Sequence, residues 1–155
     1  MAINITNFLR VSDHIATSGQ PSADDFRQIA ELGYTSVINL ALSTASNAIE
    51  HEGDVVTGHG MSYVHIPVRF DRPQVSQFEL FAAVLRQQAG SRVWVHCAMN
   101  MRVSAFMYLY HTVKQDWPES RARELLLQVW EPDPVWADFI EQVLQSRNEA
   151  ANTGN

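Results

Sequence analysis

The strongest constraint on this chain is a repeated switch between two periodicities. Short β-branched or apolar runs, Thr35–Leu40 (TSVINL), Tyr63–Pro67 (YVHIP) and Arg92–His96 (RVWVH), are separated by stretches of helical length. Strands of this kind alternating with helices imply a mainly parallel sheet covered on both faces. The first intervening helix opens at Ser22 with Asp25 three places on, a capping box with Asp in place of the usual Glu or Gln. Phe26, Ile29, Ala30 and Leu32 give it an apolar face, and Gly33 ends it. Ser46–Thr57 is a weaker helical stretch. Val75–Ala89 is a strong one, with Val75, Phe78, Phe81, Ala82 and Leu85 on one side and Gly90 after it.

At the start of the chain, Phe8–Val11 and Ile15–Thr17, split by Ser12-Asp13, read as a short hairpin. After RVWVH an apolar helix is expected from Val103 to about Val113, broken by Trp117-Pro118. Two more follow, from Ser120 to Trp130 and from Pro134 to Ser146, the last capped by Asp133 with Pro134 at its first position. The expected fold class is therefore α/β: one three-layer domain over residues 1–147, with a mainly parallel four- to five-stranded sheet and helices on both faces. Residues 148–155 form a small polar tail that should fray.

Composition removes several classes of function. A length of 155 residues suits one core rather than two. The single cysteine forbids an internal disulfide, the N-terminus lacks the pattern of a signal peptide, and no apolar run reaches bilayer length. The expectation is a cytoplasmic protein with no membrane partner. The net charge of −6 and the absence of a Lys/Arg run argue against nucleic acid. Neither feature excludes a small anion bound by a local cluster of amides and arginines. His14, His51, His59, His65 and His111 show no metal-ligand spacing, so no metal and no cofactor are expected. Trp94, Trp117, Trp130 and Trp136 read as packing residues. Nothing in the sequence reports the oligomeric state.

The segment VWVHCAMNMRVSAF, residues 93–106, concentrates the chemistry. A buried strand ends at His96, Cys97 follows, and a helix begins a few residues on. Ligands of parallel sheets sit beyond the carboxyl ends of the strands. There the amides of Ala98, Met99, Asn100, Met101 and Arg102, with the helix N-terminus, suit an anion such as phosphate or sulfate. The same field favours a thiolate. Arg102 adds a guanidinium fork able to hold two phosphate oxygens. A thiolate beneath a cradled phosphate is arranged for in-line attack and a thiophosphate intermediate. Asp71, in the turn after YVHIP, lies on the same rim of the sheet and is the candidate general acid. The competing view of Cys97 as an inert core thiol is weakened by its place between a strand end and an arginine-bearing helix. Asp71 sits before Arg72-Pro73, where turn chemistry alone also explains an aspartate.

On these residues the chain resembles the dual-specificity and tyrosine phosphatase superfamily, particularly a bacterial branch of small phosphatase domains found also in β-lactamase-hydrolase-like proteins. The matching stretches are Thr17–Ser22 (TSGQPS), Gly33 with SVINL, YVHIP ahead of Asp71, and Val93–Ser104. The resemblance spans about Phe8 to Val113. It implies a phosphatase-like fold and phosphomonoester hydrolysis on a phosphorylated substrate. Cys97 would be the nucleophile, Arg102 the phosphate ligand and Asp71 the general acid. The Ser104 hydroxyl would support the thiolate as the intermediate breaks down.

The loop departs from the family signature, which places five residues between the cysteine and the arginine. Here Arg102 stands after four, Asn100 falls on the signature glycine, and Val103 falls on the signature arginine. One helical position is about 100° of rotation, so Arg102 reaches the family position only if the loop is rebuilt. A shorter ring offers fewer amides and a smaller mouth, which predicts weakened or abolished turnover. Rhodanese-type sulfurtransferases use a ring of this shorter length for a persulfide, giving a second reading. A catalytically silent anion-binding module on the same fold is a third. Met99 and Met101 either pack beneath the loop or form an apolar rim for an aromatic substrate.

Overall fold

The computed structural model describes residues 3–153. Strand β1 (Leu9–Arg10) turns back antiparallel on β2 (Ile15–Ser18), the expected hairpin. The chain continues through α1 (Ala23–Glu31), β3 (Ser36–Asn39), α2 (Glu52–Gly58), β4 (Ser62–His65), α3 (Val75–Gln87) and β5 (Val93–His96). It ends with α4 (Met101–Leu109), α5 (Glu119–Leu127) and α6 (Pro134–Thr153). One five-stranded sheet results, ordered β1-β2-β5-β3-β4, in which all neighbours after the first pair are parallel.

Alternation along the strands fills two separate cores. Val93 and Val95 of β5 and Ile38 of β3 face a large cluster with Phe78, Phe81, Phe106, Trp136 and Phe139 from α3, α4 and α6. Trp94 and Val37 point the other way, onto Phe26, Ile29, Tyr34 and Val56 beneath α1 and α2. The result is a three-layer α/β domain with helices on both faces.

The Ser22 capping box forms as expected, with Ser22 Oγ accepting from the Asp25 amide at 3.0 Å and the Ser22 amide donating to Asp25 at 2.8 Å. A cap of this kind stabilises a helix by about 1 kcal/mol. Asp133 caps α6 through the Trp136 amide at 2.9 Å.

Three boundaries differ from expectation. The helical stretch after β3 begins only at Glu52. Residues 42–48 make tight turns instead, with Ala45 donating to Leu42 and Ala48 to Ala45, and His51 enters α2 in the left-handed region. Small polar residues such as Ser43, Thr44, Ser46 and Asn47 favour such local bonding. The helix after β5 starts at Met101, two places early, because Asn100 takes the left-handed turn that launches it. Its far end widens into π-helical geometry over Tyr110–Lys114. Finally, α6 runs past Ser146 and through the start of the expected polar tail to Thr153. Arg147 fastens it to the Thr112 carbonyl and to Asp116, both at 2.8 Å. Residues 154–155 lie outside the described residues. Among those described, no helix is long and apolar enough to cross a membrane.

Candidate active site

Strand β5 lies between β2 and β3. The helices that follow those two neighbours cover one face of the sheet, whereas α4, which follows β5, covers the other. The carboxyl end of β5 is therefore the switch point of the sheet, where a parallel α/β fold opens a crevice. Cys97 stands there, buried, and lines a cavity of about 230 Å³ with Phe70, Ala98, Met99, Met101 and Arg102.

The loop after Cys97 is held by its carbonyl groups. The Ala98 carbonyl accepts from the Gln20 amide and from Asn47 Nδ2, both at 3.1 Å, and the Met99 carbonyl accepts from Asn7 Nδ2 at 2.9 Å. In a trans peptide the N–H points opposite to the C=O, so the Met99 and Asn100 amides are turned away from these anchors. Met101 and Arg102 begin α4, where first-turn amides have no intrahelical acceptor. Met99 also pairs with Gly19 in an isolated antiparallel bridge, which ties part of the loop's backbone to the segment after β2.

Asn100 occupies the signature glycine position at φ 66°, and Asn is among the few side-chain-bearing residues that adopt this region readily. Its Nδ2 donates to the Asn7 carbonyl at 2.8 Å and to Thr17 Oγ1 at 3.0 Å. Asn7, itself at φ 52°, returns the contact through the Met99 carbonyl, so two asparagines clasp the loop to the N-terminal segment.

Arg102 shares the Cys97 cavity although it stands one position early. Because α4 starts at Met101, the arginine occupies the second helical position while Val103, fully buried, joins the core. Arg102 as a whole is 7% exposed, so its side chain does not extend into bulk water. Its Nη1 donates to the Val68 carbonyl at 3.0 Å, its Cζ lies 5.7 Å from the centre of the Phe70 ring, and its Nε has no partner. A buried donor left unpaired costs about 1–3 kcal/mol, a deficit that an anionic oxygen in the cavity would remove. Met99 and Phe70, both partly exposed, put apolar surface at the mouth.

Two expected participants are not brought to the sulfur. The exposed Asp71 carboxylate is gripped at both oxygens by Arg69, at 2.8 and 3.0 Å, and lines a different cavity with Arg72, Pro73 and Asp138. The Arg69 hydrogen bonds hold its carboxyl below the ordinary range, only partly opposed by desolvation. The Ser104 hydroxyl donates to the Met101 carbonyl at 2.9 Å, and the residue lines a cleft with Leu9, Thr17 and His111.

Sequence reasoning overlooked a polar cluster beneath the loop. His96 is fully buried, with Nε2 2.8 Å from Glu52 Oε2 and Nδ1 3.1 Å from the Cys97 carbonyl. Glu52 Oε1 accepts from Gln20 Nε2 at 2.6 Å, and nearby Tyr63 Oη accepts from Asn39 Nδ2 at 3.0 Å. Burial favours protonated Glu52, but the bonds and charge of His96, with the bonds of Gln20 and Tyr63, outweigh it and hold the carboxyl low. Burial pushes the Tyr63 hydroxyl up, and Glu52 adds to the shift against the opposing Asn39 bond. No local pattern marks Glu52. Only the sheet order, which puts the start of α2 beside the end of β5, brings it to His96.

Comparisons with known proteins identify the family and the fold. Residues 6–128 match the family model described as DSP-PTPase phosphatase fused to NAD+ kinase. The chain belongs to that phosphatase family. A crystal structure of a DUF442 protein from Shewanella putrefaciens CN-32, a phosphatase by name, is 31% identical. It covers 92% of this chain and 94% of its own, with a TM-score of 0.82. Two more distant structures share the fold. One is Pseudomonas aeruginosa TpbA in complex with pTyr, at 18% identity, 98% and 95% coverage and a TM-score of 0.75. The other is the core catalytic domain of the PP-IP phosphatase SIW14 from S. cerevisiae, at 15% identity, 99% and 96% coverage and a TM-score of 0.75. No curated protein matches this member of the phosphatase family. Its departure from the cysteine-to-arginine spacing is met by moving the helix start and burying Val103, which keeps Arg102 on the cavity.

Proposed function

We propose that this chain hydrolyses phosphomonoesters through a cysteinyl-phosphate at Cys97. One observation carries the reading: an unpartnered, buried Arg102 Nε on the same cavity as Cys97, at the start of a helix. In the first step Cys97 Sγ attacks phosphorus, the S–P bond forms as the P–O bond to the leaving group breaks, and the leaving oxygen takes a proton. In the second, water attacks phosphorus, the S–P bond breaks, and phosphate leaves with the thiolate restored. The Ala98–Arg102 amides and the Arg102 guanidinium bind the phosphoryl oxygens and stabilise their charge in both steps.

Asp71 supplies the leaving-group proton in this scheme only after release from Arg69 and movement of the turn that carries it. Ser104 is assigned no part. The substrate is a phosphorylated molecule, protein phosphotyrosine and phosphoserine among the candidates, with inorganic phosphate or sulfate as competing anions. The working place is the cytoplasm.

Turnover of an aryl phosphate by wild type and by Cys97→Ser tests the nucleophile. The expected result is complete loss in the variant, and equal rates overturn the assignment. The four-residue spacing favours one further activity, sulfur transfer from thiosulfate to cyanide. Sulfur transfer without phosphatase turnover would replace the present reading. Tight phosphate binding with neither activity would leave a silent anion-binding module.

A further inference from the structure

The mouth of the Cys97 cavity is apolar, and one wall of it is fixed from behind. Phe70, Ala98, Met99, Met101 and Arg102 line it around the cysteine, and Arg102 is the one charged residue among these described ones. Phe70 is 38% exposed, yet it is firmly held. Its carbonyl accepts from Trp136 Nε1 at 2.8 Å, and its ring centre lies 5.7 Å from that of Trp130 and 6.0 Å from that of Trp136. Trp136 is itself fully buried, against Phe106 and Phe139. Two residues before Phe70, the Val68 carbonyl accepts from Arg102 Nη1. One short stretch, 68–70, thus sets both the arginine and the aromatic wall. Met99, 43% exposed, lines the same cavity from the loop. Its unbranched thioether adapts to carbon surfaces of different shape.

Positive charge is scarce around this mouth. Arg69 is engaged with both Asp71 oxygens, and Arg72 lines the neighbouring cleft with Asp71 and Asp138. The net charge of −6 repels polyanions beyond the reach of Arg102. One guanidinium fork matches one phosphoryl group. A second phosphate on the substrate would meet Phe70 or a methionine and lose hydration without gaining a partner. The cavity holds about 230 Å³, less than the roughly 300–1,000 Å³ of sites that enclose a drug-sized ligand, so the carbon body beside the ester oxygen rests on the rim. We infer that Phe70 and Met99 are specificity-determining residues that select a monophosphate carried on an uncharged, apolar body and reject polyphosphorylated molecules. The inference rests on the proposal that the Cys97 cavity receives a phosphoryl group.

The test is calorimetric titration of full-length Cys97→Ser, which lacks the proposed nucleophile, with phenyl phosphate, naphthyl phosphate and phenylene bisphosphate. Naphthyl phosphate should bind about tenfold more tightly than phenyl phosphate, through its added ring. The bisphosphate should bind several-fold more weakly than phenyl phosphate despite its greater charge. Adding Phe70→Ala should bring the naphthyl and phenyl esters to within about twofold of each other. Adding Met99→Lys should instead put the bisphosphate ahead of phenyl phosphate. A bisphosphate that binds as well as phenyl phosphate before these additions overturns the inference, as does a naphthyl preference that survives Phe70→Ala. If Phe70→Ala does not fold, the first series and Met99→Lys still decide. Loss of affinity for all three esters and for inorganic phosphate would bring down the phosphoryl site itself, and the inference with it. Equal affinities among esters that do bind would bring down the inference alone.

Discussion

The two halves of the candidate site are built to different standards. On the cysteine side, the loop 97–102 is anchored by three separate segments, through Asn7, Gln20 and Asn47, with a buried polar cluster behind it. On the other side, Asp71 sits on an exposed turn and is paired with Arg69, two residues away. A group that must cradle a charge gains from fixed geometry, because rigid donors need no rearrangement during reaction. A group that hands a proton to a departing oxygen can sit on a turn that moves into place. Under the proposed function, the difference would separate binding, which is prearranged, from proton delivery, which needs motion.

The contrast breaks most directly at Arg102. Arg102→Met keeps the apolar stem and removes the fork, and turnover of an aryl phosphate should fall by roughly 10²–10³-fold, with a matching loss of phosphate inhibition. A fall of only a few fold would mean that the amides alone hold the anion. On the mobile side, Asp71→Asn should cost about 10²-fold with poor leaving groups and little with good ones. Equal losses on both would remove Asp71 from proton transfer. Next come Asn100→Ala and Asn100→Gly, compared by denaturant unfolding. Alanine should lose about 1–2 kcal/mol more than glycine, since both forfeit the side-chain bonds but only alanine resists the left-handed backbone. Parity between them would show that the clasp to Asn7 and Thr17, rather than the backbone turn, sets the loop.

The smallest effect concerns pH. Arg69 lowers the Asp71 pKa, so Arg69→Ala should raise it toward the ordinary carboxylate value. The protonated fraction at a given pH then rises, and the alkaline limb for poor leaving groups should move to higher pH, giving a few-fold gain above the optimum. An unmoved limb would show that the ion pair does not govern proton delivery.

Much of the fold was legible because it follows local rules. Strand alternation in VWVH, the box at Ser22 and Asp25, and the Asp133 cap each depend on neighbours a few residues apart. Cys97 and Arg102 were legible for the same reason. The helix start was not: pattern alone places Val103 at the front of α4, whereas the left-handed Asn100 moves it to Met101 and turns Arg102 onto the cavity. Glu52, Asn7 and Asn47 were invisible because their partners lie 44, 92 and 51 residues away in the chain.

Gly19 leaves a last consequence. A methyl group at that position would come within 2.7 Å of the Ala98 oxygen and 3.2 Å of Thr6, so the segment before α1 serves as a mould against which the anion loop is cast. Even the smallest side chain there would displace the Ala98 peptide and, through it, the neighbouring amides. A substitution three strands away in sequence would then behave as a defect in ligand affinity while both hydrophobic cores stayed whole.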